Sequence, residues 1–172
     1  MIVKTIKNLW IVTTLTVLMT QTIFAETPGK KIWYDEWDEA MFAAKKENKP
    51  VMVDFYTNAC PSCKAMDNTT FLEPEILKRF GSEWIGIKVN CHKLDKKGTY
   101  KGKIMDYGEL SQYFKIRYVP TFLFLDKNGE PVQVIIGYQE KDELASFLDY
   151  MRDEVYKENI KFGDYKKNLT VK

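Results

Sequence analysis

Apolar and polar positions fall into blocks that alternate between strand and helix periodicity along most of the chain. Residues 51 to 56, Val-Met-Val-Asp-Phe-Tyr, form a short apolar run rich in β-branched residues, the pattern of a buried strand. Ahead of it, residues 30 to 34 read as a short first strand, and Asp35 as the N-cap of a helix reaching Asn48. That helix places Trp37, Ala40, Met41 and Ala44 on one face, and Lys49-Pro50 ends it. A second helix starts beyond residue 60, breaks near Asn68-Thr69-Thr70 and restarts at Glu73, with Pro74 at an early helical position. Trp84 to Asn90 reads as another buried strand, carrying Lys88. Residues 91 to 108 are rich in lysine and glycine and are expected to be a loop, followed by a short helix over 109 to 115.

The next segment, Ile116 to Leu125, is strongly apolar but contains Pro120, which lacks the N–H of a ladder donor and therefore must stand at the start of a strand. Asp126-Lys127-Asn128-Gly129 predicts a hairpin turn, with Val132 to Ile136 as the returning strand and Gly137 ending it. A last amphipathic helix is expected from Glu140 to Tyr156 with Leu144, Phe147, Leu148 and Met151 inward. The order of elements predicts an α/β domain with one core over 26–158, acting as a monomer, and a polar tail over 159–172.

The first 25 residues change the setting. Lys4 and Lys7 precede an apolar stretch from Leu9 to Met19, and Ile23-Phe24-Ala25 precedes Glu26, the three-part plan of a cleaved signal peptide over 1–25. The apolar core is shorter than the roughly 20 residues of a spanning helix, so export to the periplasm is expected rather than a retained anchor. Cleavage takes two lysines and no acid from a chain of 26 basic and 24 acidic residues, which leaves it near neutral. A nucleic-acid partner would require a basic face, so none is expected.

The candidate chemistry lies just after the central strand, where Cys60-Pro61-Ser62-Cys63 sits at a strand-to-helix junction. A helix N-terminus carries partial positive charge and unpaired N–H groups, which ease the loss of a thiol proton at Cys60. Cys63, about one turn later, is placed to bond to Cys60 and to resolve a mixed disulfide formed by it. Asp54 interrupts the apolar strand. Alternation sends it to the face opposite Val53 and Phe55, where burial would raise its pKa and fit it for proton transfer. Two plainer readings compete. A structural disulfide closing so short a loop constrains little chain entropy, and a zinc site would need all 3 cysteines and the 1 histidine, with Cys91 and His92 adjacent. Cys91 is read as a buried, inert thiol and His92 as a surface residue.

Together these motifs resemble the thioredoxin fold over about residues 33 to 155: Asp54 six residues before Cys60, Lys64 after Cys63, Lys88-Val89-Asn90, Val119-Pro120-Thr121, and Asn128-Gly129 with Gly137 beyond. Asn48 to Asp54, with Thr70-Phe71, is similar to the exported thioredoxin-like branch related to the C-terminal domain of the disulfide reductase DsbD. The resemblance implies an exposed attacking Cys60, a buried resolving Cys63, Asp54 as proton acceptor with Lys88 as its neighbour, and a cis Pro120. It further implies that Val119 offers backbone hydrogen bonds to an extended substrate segment, and that Tyr118, where thioredoxins usually have Gly, narrows the groove. No bound cofactor is implied. The implied partners are protein disulfide substrates and, for the reducing direction, a membrane electron donor of the DsbD type.

Two features bear on direction. Ala59 stands where thioredoxins usually have Trp, and Pro61-Ser62 where they have Gly-Pro. A histidine at position 62 would add positive charge near the Cys60 thiolate, whereas Ser62 donates only a neutral hydrogen bond, so an intermediate or reducing potential is expected. The rival readings are a disulfide oxidase or isomerase, and a non-enzymatic metal carrier using Cys60, Cys63 and His92.

Overall fold

The computed structural model describes residues 31–169, so the signal-peptide reading of residues 1–25 lies outside the described residues. Its centre is a five-stranded sheet in the order β1-β3-β2-β6-β7, built from β1 (Trp33–Tyr34), β2 (Val51–Tyr56), β3 (Ile85–Asn90), β6 (Thr121–Leu125) and β7 (Pro131–Ile136). β3 runs parallel to β1 and β2, while β6 is antiparallel to β2 and to β7. β2 is central and covered on both faces, which is why it reads as a nearly continuous apolar run.

Alternation along β2 divides the core into two layers. Val51, Val53 and Phe55 pack with Trp37, Ala40 and Ala44 of α1 (Trp37–Glu47) and with Leu110 of α4 (Tyr107–Tyr113). Met52 points the other way, against Met66 of α2 (Pro61–Asn68), Ile76 and Phe80 of α3 (Pro74–Ser82), and Leu144, Phe147 and Leu148 of α5 (Lys141–Arg152). Asp54 shares the Met52 face and therefore lies on the side that α2 covers. The break after Asn68 and the restart at Pro74 occur where the sequence places them.

Four expectations are corrected. Asp35 does not cap α1; Glu36 holds that position without a side-chain cap, and Asp35 instead pairs with Lys96 Nζ at 3.0 Å. Residues 91–108 are not simply a loop but contain a hairpin, β4 (Lys97–Tyr100) and β5 (Lys103–Asp106), turned through Lys101 and Gly102, both at positive φ. The strand pattern is masked because Gly98 fills an inward position: a Cβ there would lie 2.5 Å from Trp37 Cγ, so only glycine lets the hairpin lie on α1. Trp37 Nε1 donates to the Thr99 carbonyl at 3.0 Å, fixing that contact. The last helix stops at Arg152 rather than Tyr156, and a 3₁₀ turn, Val155–Glu158, follows. The stretch read as a polar tail forms α6 (Phe162–Leu169), whose Phe162 ring lies 4.7 Å from that of Phe147, so it extends the core instead of trailing from it.

Candidate functional site

The topology brings the predicted residues to one edge of the sheet. β2 and β3 are parallel and end together, with Tyr56 opposite Asn90, while β6 begins there, with Thr121 opposite Phe55. From Tyr56 the chain turns through Thr57-Asn58-Ala59, and Cys60 N–H donates to the Thr57 carbonyl at 3.2 Å. Cys60 is then the N-cap of α2, and Pro61, with no N–H to lose, fits the first helical position.

Cys60 and Cys63 are disulfide-bonded, with Cα atoms 5.3 Å apart. The Cys63 backbone N–H donates to Cys60 Sγ at 3.0 Å. An N–H aimed at that sulfur, at the positive end of a helix, stabilises a thiolate there more than a thiol. The expected contrast in exposure is small: Cys60 is 7% exposed and Cys63 4%. Cys60 is recessed because its N-cap position holds the sulfur over the first turn rather than out in solvent.

Asp54 is buried, and Lys88 Nζ donates to its Oδ2 at 3.0 Å, while its Oδ1 has no hydrogen-bond partner. Desolvation raises the carboxyl from 3.8 to about 6, against the opposing pull of Lys88. Lys88 also pairs with Asp67 of α2, a residue absent from the sequence-level site. Asp67 lies four positions after Cys63, on the same helical face, and that spacing is the signal that would have found it. The ammonium lies 5.3, 5.4 and 5.0 Å from the rings of Trp33, Tyr56 and Phe71, respectively. Burial works against its charge, but the two carboxylates outweigh that and raise it above its usual value.

The Val119–Pro120 bond is cis, as the resemblance implies. Pro120 is buried, and its carbonyl accepts from Gly137 N–H at 2.8 Å, which ties it to the end of β7. Among the described residues the Val119 backbone makes no hydrogen bond, so its N–H and C=O are open to an incoming chain. Tyr118 is 68% exposed and stands out from this edge. Cys91 is a half-buried free thiol that burial pushes up, and His92 is exposed beside it. Among the described residues no three His, Cys, Asp or Glu side chains converge as a metal cage.

Fold and site together define a thioredoxin-like protein carrying a dithiol/disulfide pair, the chemistry of a thiol-disulfide oxidoreductase. The family model of the thioredoxin-like domain matches residues 37–152, and the chain belongs to that family. More particularly, it is 27% identical over 131 residues to the thiol:disulfide interchange protein DsbD of Escherichia coli K12, a match covering 75% of this chain and 21% of that protein. The chain thus corresponds to about a fifth of the length of that relative. Among solved structures, a thioredoxin-fold protein from Helicobacter pylori superposes with a TM-score of 0.58 at 19% identity, over 78% of this chain and 94% of that one. A thioredoxin from Thermus thermophilus does so with a TM-score of 0.55 at 25% identity, over 69% and 85%.

Proposed function

We propose that this protein is an exported thiol-disulfide oxidoreductase that reduces disulfides in other proteins of the periplasm and is itself recharged by a membrane electron donor of the DsbD type. The observation that carries the reading is the Cys63 N–H donated to Cys60 Sγ at 3.0 Å, at the start of a helix whose inner face covers the buried Asp54.

In this reading the Cys60 thiolate attacks one sulfur of a substrate disulfide, forming a mixed disulfide and releasing the other substrate sulfur as a thiolate. The substrate segment lies along Val119, whose free N–H and C=O suit strand-like pairing, with Tyr118 bounding its path. Cys63 then gives its proton to the Asp54 carboxylate and attacks Cys60 Sγ. The protein pair is oxidised, and the substrate leaves with two electrons and, after uptake from water, two protons. Lys88 holds Asp54 in place and limits the rise in its pKa.

Equilibration of the Cys60/Cys63 couple with glutathione tests the direction. A potential between about −200 and −270 mV is expected, whereas a value near about −120 mV would overturn the reductant role in favour of an oxidase. Export rests on the signal-like residues 1–25, and the N-terminus of the protein recovered from the periplasm is expected to be Glu26.

A further inference from the structure

Four strands meet the redox edge side by side in the order β3, β2, β6, β7, and the surface they present is not uniform. On the β3 side the chain leaves as Cys91-His92-Lys93, and His92 and Lys93 line a cleft with Asn58 and Ala59, directly ahead of Cys60. A second cleft, lined by Tyr56, Thr57, Asn58, Cys63, Lys64 and Asp67, places Lys64 on the other flank of Asn58. Arg117 is exposed two positions before Val119, in a segment anchored by the Ile116 N–H to Ser111 carbonyl bond at 2.8 Å.

Lys64, Lys93 and Arg117 are exposed and have no ion pair among the described residues. The nearby carboxylates offset them little. Asp54 is buried, Asp67 is held by Lys88, and Asp106 and Glu109, near Cys91, accept from each other's backbone N–H groups in the capping box of α4, while Asp95 is exposed in the loop after Lys93. The β7 side is different in kind. There Ile136, opposite Thr121, is 59% exposed and Tyr138 is 36% exposed, and Tyr118, three positions before β6, is exposed as well.

We infer that Lys64, Lys93 and Arg117 form a cationic rim that recognises acidic residues beside the disulfide of a protein substrate, while Ile136 and Tyr138 take its apolar side. The inference rests on the proposed oxidoreductase function and names the chemistry of the segment that function acts on. Exposed charges of one sign around a reacting group raise the encounter rate with the opposite sign, by about tenfold or more at low salt, and lose that effect as salt screens them.

The test uses the reduced full chain and three peptides that share one intramolecular disulfide and differ only in flanking residues, Glu, Gln or Lys. The electrons come from the Cys60/Cys63 dithiol, so each turnover yields one protein disulfide and one peptide dithiol, counted after acid quenching. At low salt the Glu peptide is expected to react about tenfold faster than the Lys peptide, with Gln between. At about 1 M salt, where the screening length is near 3 Å, the three rates converge. The charge-reversing pair Lys93→Glu and Arg117→Glu is expected to invert the order of the Glu and Lys peptides, a ratio measured within one variant. Equal rates for the three peptides at low salt would overturn the rim and leave the oxidoreductase reading standing. Failure to reduce any of the three would overturn that reading, and the rim with it.

Discussion

Replacing Asp54 with Asn keeps the shape of the side chain and an oxygen for Lys88 but removes a buried negative charge. In the native protein the carboxyl sits at about 6 because desolvation outweighs Lys88, against 3.8 when free. A carboxyl raised on folding contributes stability that is complete below about pH 3.8 and is lost as the pH rises through about 6, because the folded state holds its proton longer. That difference corresponds to roughly 3 kcal/mol, at about 1.4 kcal/mol for each pH unit. Asp54→Asn has no such group to ionise. The variant is therefore expected to gain on the native protein by roughly 2.5 kcal/mol between pH 4 and pH 8, the rest of the change falling below pH 4, whatever their difference at pH 4. Urea unfolding of both proteins in the disulfide form, at several pH values across this window, measures the gain directly. Titrating groups that do not interact with Asp54 are common to the two and cancel, and Lys88, which does, is raised above its usual value and stays charged across the window in the native protein. A stability difference that stays constant to within about 0.5 kcal/mol over the window would refute the claim that desolvation governs this carboxyl.

The same variant is expected to slow resolution by Cys63 by about a hundredfold or more at neutral pH, seen as a longer-lived mixed disulfide on Cys60 under acid trapping. Lys88→Met removes the attraction that opposes desolvation, so the Asp54 titration followed by carbonyl NMR should move above about 6. Asp67→Asn should move it below, since a repelling charge is lost and Lys88 is left to Asp54. Gly98→Ala forces a methyl to within 2.5 Å of Trp37 Cγ and is expected to cost about 1–3 kcal/mol in urea unfolding, with no effect on Asp54 titration. Phe162→Ala uncovers Phe147 and should cost about 1–2 kcal/mol, about half of a fully buried truncation, if α6 belongs to the core.

The parts of the fold that can be read from the chain are those in which local pattern and tertiary role coincide. β2 is covered on both sides, so its apolar run is continuous; Pro120 and Pro74 each occupy a place that the missing N–H allows. The hairpin at 97–106 is obscure for the opposite reason. Its inward positions are Gly98, Tyr100 and Met105, and the glycine is there because Trp37 is already filling the space. Asp35 reads as a cap because a helix follows it, but Lys96, from the segment leading into that same hairpin, claims its carboxylate. α6 carries only a short apolar stripe, Phe162 and Tyr165, which has meaning once Phe147 and Tyr150 are seen beneath it. The role of Asp67 is not legible in its own segment, because it depends on Lys88 reaching across from β3, a contact between distant parts of the chain.

That contact sets how much of the burial penalty on Asp54 is offset. One ammonium serves two carboxylates, so Asp54 receives only part of the compensation that an exclusive partner would give. An isolated Asp54–Lys88 pair would hold the carboxylate charged down to lower pH and leave it a weak base. Desolvation is the main cause, and with Lys88 shared and Asp67 adding a smaller repulsion the carboxyl comes to rest near 6, the range in which the proposed transfer from Cys63 would use it. The aromatic rings around the ammonium cover part of its surface, and the lower local dielectric strengthens both effects. The buried charge whose formation lowers stability as the pH rises toward about 6 is thus the same charge that the proposed mechanism uses to accept the Cys63 proton, so a change at Asp54 is expected to alter both properties together.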